Sequence, residues 1–473
     1  MTLLVYPMDG NKTFDLVVIG TGVAASTVAW KCQSAGLKIA VIDSRPFGGT
    51  CALRGCDPKK VLVGVAEIID LSHRMESKGV GHAKEIRINW PELMYFKRSF
   101  TEPVPKRREE EFSKAGIAIF HGHARFTDNT TVKVGEQGQV LSAKYILVAT
   151  GAKPAKLNIP GEAYITTSEQ FLELNDLPRR IVFAGGGYIS FEFAHIAARA
   201  GAETTIIHRS KKPLGQFDPD LVEQLVQRTR ELGIDVRLQT ELKGIDRTAN
   251  GTLLVYTSST CTDDNKEHTI EADIVVHGAG RLPDIEGLDL PKGGIEYEPK
   301  GVKVNDYLQS ISNPAVYAAG DVVAAASGGP QLTPVATYNG EIVAANLLKG
   351  NHVKVDYRGV PSVVFTVPPL ASVGIQEYAA KKKGLHFKTN HEKNTSSWYS
   401  SRRLGEKYSG FKVLVEDGGE KSGRILGAHL LGSHAEEVIN IFALAIRLGL
   451  TAENIKEALF SYPTNSSDIR YML

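Results

Sequence analysis

A short apolar strand, a glycine-rich turn and a helix follow one another near the start of the chain. The β-branched run Phe14–Ile19 leads into a turn that contains Gly20, Gly22 and Ala25, and a second apolar run ends at Asp43, 23 residues after Gly20. In such a unit the glycines permit a tight turn and close approach to a pyrophosphate, the alanine lets the helix pack closely, and the acid binds a ribose hydroxyl. The sequence therefore predicts a dinucleotide-binding domain built on a parallel sheet.

The chain repeats this pattern further on. The predicted parts are a strand over Arg180–Ala184, a turn over residues 185–190 that contains Gly185 and Gly187, and a helix over Phe191–Ala200. The next strand, residues 204–207, is followed by basic residues that include Arg209, and not by an acid. An acid would favour the free ribose hydroxyl of NAD, whereas an arginine suits the 2′-phosphate of NADP. We expect NADPH rather than NADH in this unit, with a merely solvated basic turn as the alternative.

Cys51 and Cys56 follow Asp43 in the first unit, framed by glycines and followed by Pro58 and Lys59. On an ideal helix residues five apart lie about 8 to 9 Å from each other, and a disulfide requires Cα atoms within about 7 Å. A bond between the two would need a bent backbone, which Gly55 permits. Pro58 suits the first turn of the following helix, whose dipole would favour, together with Lys59, a thiolate at Cys56. We interpret the cysteines as a redox-active pair.

A zinc half-site and a structural disulfide are the alternatives for this pair. The chain has four cysteines, at positions 32, 51, 56 and 261. With no second close pair, a cysteine-rich zinc site is not indicated, and we expect no bound metal. A structural bridge would be unusual in a long cytosolic chain with so few cysteines.

Length and charge exclude little and indicate an ordinary globular protein. The 473 residues exceed what one hydrophobic core supports, so about two to four domains are expected. A net charge of +2 gives no indication of nucleic-acid or membrane-surface binding. Residues 1–9 lack the basic and apolar parts of a signal peptide, and no segment has the apolar length of a membrane span. We therefore expect a cytoplasmic protein.

Two dinucleotide-binding units, with the cysteine pair in the first, imply FAD in the first and a nicotinamide nucleotide in the second. Residues 279–283, 316–321 and 361–366 resemble, in this order, the turn that closes a nicotinamide domain, a second FAD motif and the opening of a dimerisation domain. With the Cys-x4-Cys-x-Pro motif, they make the chain similar to class I pyridine nucleotide-disulfide oxidoreductases, the group of glutathione reductase, dihydrolipoamide dehydrogenase and mercuric reductase. The resemblance extends from Phe14 to the C-terminus.

The resemblance implies an α/β fold with two Rossmann-like dinucleotide-binding domains and a C-terminal α+β dimerisation domain. The FAD-binding domain would consist of residues 1–155 and 285–354. The NAD(P)H-binding domain would occupy residues 156–284, and the dimerisation domain residues 355–473. The expected assembly is a homodimer.

The resemblance also implies roles for side chains at the redox centre. Cys56 would face the flavin, and Cys51 would exchange with the substrate. Lys59 would lie near the flavin and pair with Glu192, while Tyr188 would be a gate that moves when the nicotinamide binds.

Other residues are implied in holding the cofactors. Thr333 would cap a helix whose first residue is Pro334, with the positive end of that helix towards the flavin. The remaining cofactor-binding residues that the resemblance implies are Gly49, Thr50, Thr150, Gly151, Gly280, Arg281, Gly320 and Asp321.

The C-terminal segment departs from the family pattern. Glutathione reductase and lipoamide dehydrogenase carry a histidine, supplied by the partner subunit, that protonates the leaving thiolate and is oriented by a glutamate. Tyr462 stands at the position of that histidine and Ser467 at the position of the glutamate, with Asp468 one residue late. A phenol with a pKa of about 10 is a poor general base near neutral pH. Where glutathione reductases present an arginine, this chain has Trp30, and Glu341 would repel a glutathione carboxylate.

We therefore expect electrons to pass from NADPH through FAD to the Cys51–Cys56 pair and on to an unidentified small-molecule or protein acceptor, which is not glutathione disulfide. One alternative is a diaphorase that reduces quinones or metal ions directly from the flavin. Proper mercuric reductase activity is not expected, because the sequence ends in Arg470-Tyr471-Met472-Leu473 without the cysteine pair of those enzymes. The other alternative is a flavin-based redox sensor or binding protein.

Overall fold

The computed structural model describes residues 12–136, 138–261, 267–419 and 422–473. Residues 1–9, on which the expectation of no signal peptide depends, lie outside the described residues. The described chain forms two compact units. The first contains the described residues up to Pro58 together with Arg98–Ala155 and Arg281–Tyr357, and the second contains Lys59–Lys97, Lys156–Gly280 and Arg358–Leu473. None of the described helices is long and apolar enough to cross a membrane.

The first unit is an α/β structure. Its central strands are buried on both faces, as is usual for parallel strands covered by helices; Leu16, Val17 and Val18, for example, have no exposed surface. The elements of this unit are β1 (Lys12–Ile19), α1 (Val23–Ser34), β2 (Ile39–Asp43), α2 (Gly49–Arg54), α5 (Val104–Lys114), β3 (Ala118–His121), β4 (Ala124–Asp128), β5 (Thr131–Val134), β6 (Gln139–Val148), β7 (Ala152–Pro154), β16 (Arg281–Pro283), β17 (Tyr297–Glu298), β18 (Gly301–Val302), β19 (Val316–Ala318), α9 (Ala325–Gly328) and α10 (Thr333–Lys349). Helices α3 (Cys56–Arg74) and α4 (Trp90–Thr101) have residues in both units.

The main sheet of the first unit has the strand order β3-β2-β1-β6-β5-β4, with β19 beside β6. Strands β1, β2, β6 and β19 are parallel. Their registers pair Ile19 with Ile42 and with Val148, and Val148 with Ala318. The carboxyl ends of these strands therefore meet at one edge, the edge at which nucleotides bind in sheets of this type.

The second unit combines a parallel sheet with two antiparallel sheets. Its elements are β8 (Ile165–Thr166), α6 (Ser168–Phe171), β9 (Arg180–Ala184), α7 (Tyr188–Arg199), β10 (Glu203–His208), α8 (Pro219–Glu231), β11 (Asp235–Leu238), β12 (Thr240–Arg247), β13 (Leu253–Ser259), β14 (Glu267–Ala272), β15 (Ile274–His277), β20 (Ser362–Val364), β21 (Leu370–Gly374), α11 (Glu377–Lys382), β22 (Phe387–Glu392), α12 (Tyr399–Arg402), β23 (Gly410–Glu416), β24 (Ile425–Leu431), α13 (Ala435–Leu448), α14 (Ala452–Glu457) and α15 (Ile469–Met472).

The parallel sheet of the second unit has the order β11-β10-β9-β15-β8. Strands β12, β13 and β14 form an antiparallel sheet, and the C-terminal part forms another in the order β20-β21-β24-β23-β22. Helix α13 packs on β21 and β24 through a buried apolar face. These elements confirm the α/β fold class predicted from the sequence.

One predicted boundary is wrong. The turn expected over residues 185–190 is shorter, because α7 already begins at Tyr188. Gly187 is its N-cap with extended backbone (φ −92°, ψ 179°), so the two residues before the cap suffice to turn the chain. Ser190 is a buried helical residue, and the predicted helix over Phe191–Ala200 starts three residues too late.

Candidate active site

Two glycine-containing segments, one with Gly20 and Gly22 and one with Gly49, contact each other at the carboxyl edge of the first unit's sheet. Gly20 has a φ of +111°, and a Cβ there would lie 2.3 Å from the carbonyl oxygen of Ala149. Gly49 has a φ of +73°, and its Cβ would lie 2.4 Å from Cα of Gly22. Gly22 is the N-cap of α1, which has no side-chain cap and no acidic residue in its first turn. The free N–H groups at this helix start suit a pyrophosphate.

The acid at the end of β2 is held in place by hydrogen bonds. Thr21 Oγ1 donates to Asp43 Oδ2 at 2.6 Å, and the Arg45 N–H donates to Asp43 Oδ1 at 2.9 Å. Ala25, with 1% of its surface exposed, lies on the buried face of α1. Asp43 is therefore oriented where a ribose hydroxyl is recognised in such units.

A second acid follows β19. Asp321 lies in the 3-10 turn Gly320–Val322, and Gly320 has a φ of +77°. Burial raises the pKa of Asp321, and Arg281 lowers it. A buried carboxylate beside an arginine is suited to binding hydroxyl groups of a ligand, because water does not compete there.

The strand pair β7 and β16 closes this edge of the first unit. Thr150 Oγ1 donates to the Asp284 carbonyl at 2.7 Å, and the Arg281 guanidinium donates to the Ala152 carbonyl. Gly151, between Thr150 and β7, has a φ of +72°. The bare glycine turns, the uncapped helix and the two acids together fit a flavin dinucleotide.

The two cysteines lie on either side of a bend. Cys51 is in α2, Cys56 is the first residue of α3, and Gly55 between them has non-helical dihedral angles (φ −146°, ψ −107°). Thr50, one residue before Cys51, is itself in α2, and a Cβ on Gly55 would lie 3.0 Å from its carbonyl oxygen. The bend expected from the sequence is therefore present, and no disulfide joins the two cysteines in the described structure.

The two thiols share hydrogen bonds. The hydrogen bond to Cys56 raises the pKa of Cys51, and burial raises it further. Cys56 Sγ lies 3.3 Å from Thr333 Oγ1, and Cys51 Sγ donates to Asp57 Oδ1 at 3.8 Å. The raised pKa of Cys51 favours Cys56 over Cys51 as the place for a single negative charge on the pair.

The predicted cap of α10 is wrong by one residue. Thr333 is the first residue of the helix, Leu332 is the N-cap and no side chain caps the helix. Pro334 is therefore the second residue and not the first. The Thr333 hydroxyl faces Cys56 Sγ instead of an N–H group of its own helix. The free N–H groups of α10 leave a site for an electronegative ligand edge.

The second unit repeats the glycine-turn geometry. Gly185 has a φ of +122°, and a Cβ there would lie 2.2 Å from the Gly278 carbonyl oxygen. Gly187 precedes α7, which has no side-chain cap and no acid in its first turn. Tyr188, the first residue of α7, is 46% exposed. Gly280, the last residue of the segment Lys156–Gly280, has a φ of +114°. This arrangement fits a second dinucleotide.

The end of β10 differs from the sequence interpretation in one respect. Arg209 is exposed, as are Lys211 and Lys212, but His208 is the last residue of the strand. Sequence reasoning passed over His208. The available signal was its spacing of 23 residues from Gly185, which equals the spacing that identified Asp43.

Lys59 and Glu192 form a nearly buried ion pair in the second unit. Lys59 Nζ lies 3.0 Å from Glu192 Oε1, and the two residues are 9% and 3% exposed. Glu192 Oε1 also accepts the Phe365 N–H at 2.8 Å, and Lys59 Nζ lies 4.3 Å from the centre of the Phe365 ring. The Lys59 ammonium group is thus held by the charge of Glu192 and by the Phe365 ring, and the Phe365 N–H holds the Glu192 carboxylate in turn.

Two more side chains on the same face of α7 bind the segment that follows β20 and contains Phe365. The Val367 N–H donates to His195 Nδ1 at 3.2 Å, and Arg199 donates to the Val367 carbonyl at 3.0 Å. Burial lowers the pKa of His195 well below its usual value, so the ring is neutral. Sequence reasoning missed this pair, although spacing of three and seven residues from Glu192 places them on one helix face.

The C-terminal segment lacks an oriented acid–base pair within the described residues. Tyr462 is 79% exposed and its hydroxyl makes no hydrogen bond there. The Ser467 side chain donates to the Thr464 carbonyl at 2.6 Å as part of a local helix cap. Burial raises the pKa of Asp468, whose partners are Ser400 and Arg403. Neither residue is arranged to orient a base at position 462.

The two residues expected to reject glutathione are engaged locally in the first unit. Trp30 stacks on Phe112, with ring centres 5.0 Å apart. Glu341 lies 3.5 Å from Lys31 Nζ, with both side chains about half exposed. This ion pair offsets part of the negative charge that was expected to repel a carboxylate, but exposed pairs of this kind are weak.

Comparison with known proteins agrees with this geometry. Residues 14–340 match the family described as pyridine nucleotide-disulphide oxidoreductase, and residues 360–473 match its dimerisation domain. Mercuric reductase from Staphylococcus aureus is 32% identical over 98% of this chain and 82% of its own length. Glutathione reductase from Schizosaccharomyces pombe is 31% identical over 97% of this chain and 98% of its own.

A solved structure shows the same similarity at the level of the fold. The HOCl-induced flavoprotein disulfide reductase RclA from Escherichia coli, determined as a Cu(II) complex, superposes with a TM-score of 0.84 and 25% identity over 98% of this chain and 99% of that chain. These matches confirm the resemblance, the fold class and the enzymatic nature expected from the sequence. The chain belongs to the pyridine nucleotide-disulphide oxidoreductase family, whose members are FAD-dependent enzymes that use pyridine nucleotides.

Proposed function

We propose that the protein takes electrons from NADPH, passes them through FAD to the Cys51–Cys56 pair, and delivers them to an acceptor other than glutathione disulfide. The observation that carries this proposal is the arrangement of the two thiols on either side of the bend at Gly55, with Cys56 Sγ 3.3 Å from Thr333 Oγ1. When bound, FAD supplies the two-electron link between a nicotinamide and the disulfide. NADPH rather than NADH is favoured by the exposed basic side chains that follow β10.

The two thiols have different roles in the proposed reaction. Two electrons, which the nicotinamide gives up as a hydride, break the Cys51–Cys56 bond. The one proton that the hydride brings with them is taken up by Cys51, and the Thr333 hydroxyl stabilises the thiolate left on Cys56. Cys51 then attacks the acceptor as its proton leaves, with Asp57 the nearest carboxylate to its Sγ. Formation of the new disulfide with Cys56 releases the reduced acceptor. Lys59, fixed by Glu192 and Phe365, would supply a fixed positive charge for the cofactor.

The acceptor should be one that needs no protonation of its leaving group. Tyr462 cannot serve as the missing base near neutral pH, and the Ser467 side chain is engaged in a helix cap. Disulfides of acidic thiols meet this requirement because their leaving group is stable as a thiolate. The acceptor class proposed is therefore a disulfide with a low-pKa leaving thiol.

Soft metal ions are the second candidate acceptors. The similarity to a mercuric reductase and to a protein solved as a Cu(II) complex favours them, and thiolates are good ligands for such ions. In this case too the thiol pair would receive the acceptor. A diaphorase reaction with quinones, in contrast, would bypass the thiols.

An anaerobic NADPH titration of the holoenzyme tests the proposal. We expect a long-wavelength absorbance band after two electrons in the wild type and no such band in Cys56→Ser. In Cys51→Ser the band should already be present before NADPH is added, two electrons should bleach it together with the flavin, and aromatic-disulfide turnover should be lost. Cys261→Ser, an exposed cysteine outside the motif, is the control and should behave as wild type. Bleaching of the flavin without the band, or quinone reduction that alone survives Cys51→Ser at wild-type rate, would establish the diaphorase instead.

Assembly and location belong to the same proposal. The match of residues 360–473 to the family's dimerisation domain supports a homodimer, in which Tyr462 would come from the partner subunit. A cytoplasmic location would keep Cys32 and Cys261, the two cysteines outside the redox pair, reduced. Sedimentation of the holoenzyme as a monomer at micromolar concentration would contradict the dimer.

A further inference from the structure

A carboxylate lies beside the thiol that is proposed to meet the acceptor. Cys51 Sγ donates a hydrogen bond to Asp57 Oδ1 at 3.8 Å. Asp57 is the second residue of α3, between Cys56 and Pro58, and its side chain is exposed. An aspartate carboxylate is negatively charged at neutral pH. The attacking sulfur atom therefore has a fixed negative charge next to it, on a residue that belongs to the redox motif itself.

The basic side chains that follow Asp57 are engaged with other carboxylates. Lys59 Nζ lies 3.0 Å from Glu192 and Lys60 Nζ lies 3.2 Å from Glu67. Among the described residues no lysine or arginine forms an ion pair with Asp57, whose carboxylate has Cys51 as its hydrogen-bond partner. The positive end of α3 stabilises an acid in its first turn, but no side chain there cancels the charge that an approaching acceptor meets.

Attack on an acceptor brings a second negative charge to this place. The hydrogen bond to Cys56 and burial raise the pKa of Cys51, and the charge of Asp57 raises it further. Once Cys51 has lost its proton, its thiolate and the Asp57 carboxylate are like charges 3.8 Å apart and repel each other. A positive charge on the acceptor, close to the sulfur atom under attack, offsets this repulsion, and a negative charge adds to it.

The same positive charge improves the leaving group. A cationic group beside a thiol lowers the pKa of that thiol, so the thiolate can leave without the acid that Tyr462 does not supply. One kind of acceptor thus satisfies both features of the site. We infer that Asp57 selects disulfides that carry a positive charge next to their sulfur atoms. This inference rests on the proposed reduction of disulfides by the thiol pair.

The reaction with such an acceptor balances without a further reactant. The proton of Cys51 passes to water, the Cys51 thiolate attacks one sulfur atom of the acceptor, the acceptor's S–S bond breaks and the first thiolate leaves. The Cys56 thiolate then attacks the Cys51 sulfur, breaks the mixed disulfide and releases the second thiolate. The two electrons of the reduced pair end on the two released thiolates, and the Cys51–Cys56 bond is restored. Asp57 forms no covalent bond and acts through its charge.

Charged methanethiosulfonates measure the charge at Cys51 without turnover. The protein is the reduced holoenzyme with Cys56→Ser and Cys261→Ser, which leaves Cys51 as the accessible thiol because Cys32 is buried. The rate with the trimethylammonium-ethyl reagent, divided by the rate with the sulfonatoethyl reagent, should fall about 10- to 100-fold in Asp57→Asn and further in Asp57→Lys. A change in the thiolate fraction of Cys51 affects both rates equally and leaves their ratio unchanged.

Steady-state reduction by NADPH tests the choice of acceptor. The probes are cystamine, a dication, bis(2-hydroxyethyl) disulfide, which is neutral, and 3,3′-dithiodipropionate, a dianion. We expect kcat/KM to fall in this order in the wild type and in Asp57→Glu. The ratio of the first to the last should shrink about 10- to 100-fold in Asp57→Asn, and it should shrink in the wild type as salt is added. Asp306→Asn, which breaks an exposed pair with Lys354 in the same unit, is the control and should match the wild type.

The outcomes separate this inference from the proposed function. Equal ratios in the wild type and in Asp57→Asn, with both sets of probes, overturn the role of Asp57 and leave disulfide reduction intact. A lower thermal stability of Asp57→Asn would then assign the carboxylate to the start of α3 alone. A reagent ratio that depends on Asp57, without reduction of any disulfide by NADPH, overturns the proposed function and with it the selection of disulfides.

Discussion

Asp70 Oδ1 lies 2.5 Å from Nη2 of Arg199, and neither side chain exposes more than 4% of its surface. Arg228 and Arg74 reach the same carboxylate at 2.6 and 2.8 Å. Burial alone would raise the pKa of Asp70, but the three guanidinium groups outweigh it and lower the pKa to about 2. Through Arg199, which also binds the Val367 carbonyl, this cluster fixes the helix that carries Glu192.

Asp70→Asn should therefore destabilise the protein strongly. The change removes the carboxylate that Arg199 and Arg228 share, while Arg74 keeps Glu406 at 3.6 Å. Loss of one partner of a buried pair typically costs about 3 to 5 kcal/mol. The midpoint of urea unfolding measures the effect. Asp235→Asn breaks an exposed pair with Arg237 of similar length and should change stability by no more than about 1 kcal/mol.

The same carboxylate should govern part of the acid stability. Its folded pKa of about 2 lies below the unfolded value of about 3.9, so its contribution is fully present above pH 4 and is lost as the pH falls towards 2. The loss amounts to about 2 kcal/mol. In Asp70→Asn the free energy of unfolding, measured by urea titration, should fall less between pH 4 and pH 2 than in the wild type, by this amount. An equal fall in both proteins would contradict the assignment.

Glu192→Gln should slow the reduction of the enzyme by NADPH. The amide still offers an oxygen to the Phe365 N–H but removes the charge that holds Lys59. A misplaced charge near the reacting atoms typically lowers the rate by about 10- to 100-fold. Anaerobic stopped-flow absorbance measures it. Glu67→Gln, which breaks the exposed Lys60 pair on the same helix, should leave the rate unchanged, and an equal effect in both variants would argue against a specific role.

Thr333→Val should raise the pKa of the reactive thiol in the reduced enzyme. The substitution removes the hydroxyl 3.3 Å from Cys56 Sγ, and a hydrogen bond to a charged group contributes about 1.5 to 3 kcal/mol, or roughly one to two pH units. The pH dependence of iodoacetamide alkylation gives the value. Thr337→Val, one turn further along α10, removes only a bond to the Thr333 carbonyl and should not shift the curve.

Tyr462→His should not produce a glutathione reductase. The new imidazole would lack an orienting carboxylate, because Ser467 serves the cap at Thr464 and Asp468 is engaged with Ser400 and Arg403. We expect less than a tenfold gain in kcat/KM for glutathione disulfide, against the roughly 10² to 10⁴ of a positioned acid–base group. The double variant Tyr462→His with Ser467→Glu tests whether orientation is the missing element. Robust turnover by the single variant would contradict this account.

The parts of the site that depend on local spacing could be predicted from the sequence. The glycine turns, the bend between Cys51 and Cys56, and the acid at Asp43 all follow from residue types at fixed separations. The predicted start of α10 is wrong by one residue. Thr333 has a hydroxyl that could cap the helix, but this hydroxyl contacts Cys56 Sγ, 277 positions earlier. Such a competing partner is not visible in the local sequence.

The Asp70 and Arg199 cluster was missed for the same reason on a larger scale. The two residues are 129 positions apart, and each alone resembles an ordinary charged helix residue. For His195 the sequence indicates a packed helix residue, but its backbone partner Val367 lies 172 positions away and is not visible locally. Helical periodicity places such residues on one face but does not name what lies opposite.

The contact between Gly49 and Gly22 limits how two segments can diverge in evolution: the glycine turn before α1 and the start of α2. With 2.4 Å between a Cβ on Gly49 and Cα of Gly22, a methyl group on Gly49 would displace the glycine turn before α1. Position 22 is already a glycine, so no smaller residue there could make room. A mutation at position 49 therefore has no compensating mutation at its contact. The segment that carries Cys51 is tied to the nucleotide turn in any descendant of this sequence, whatever acceptor that descendant comes to reduce.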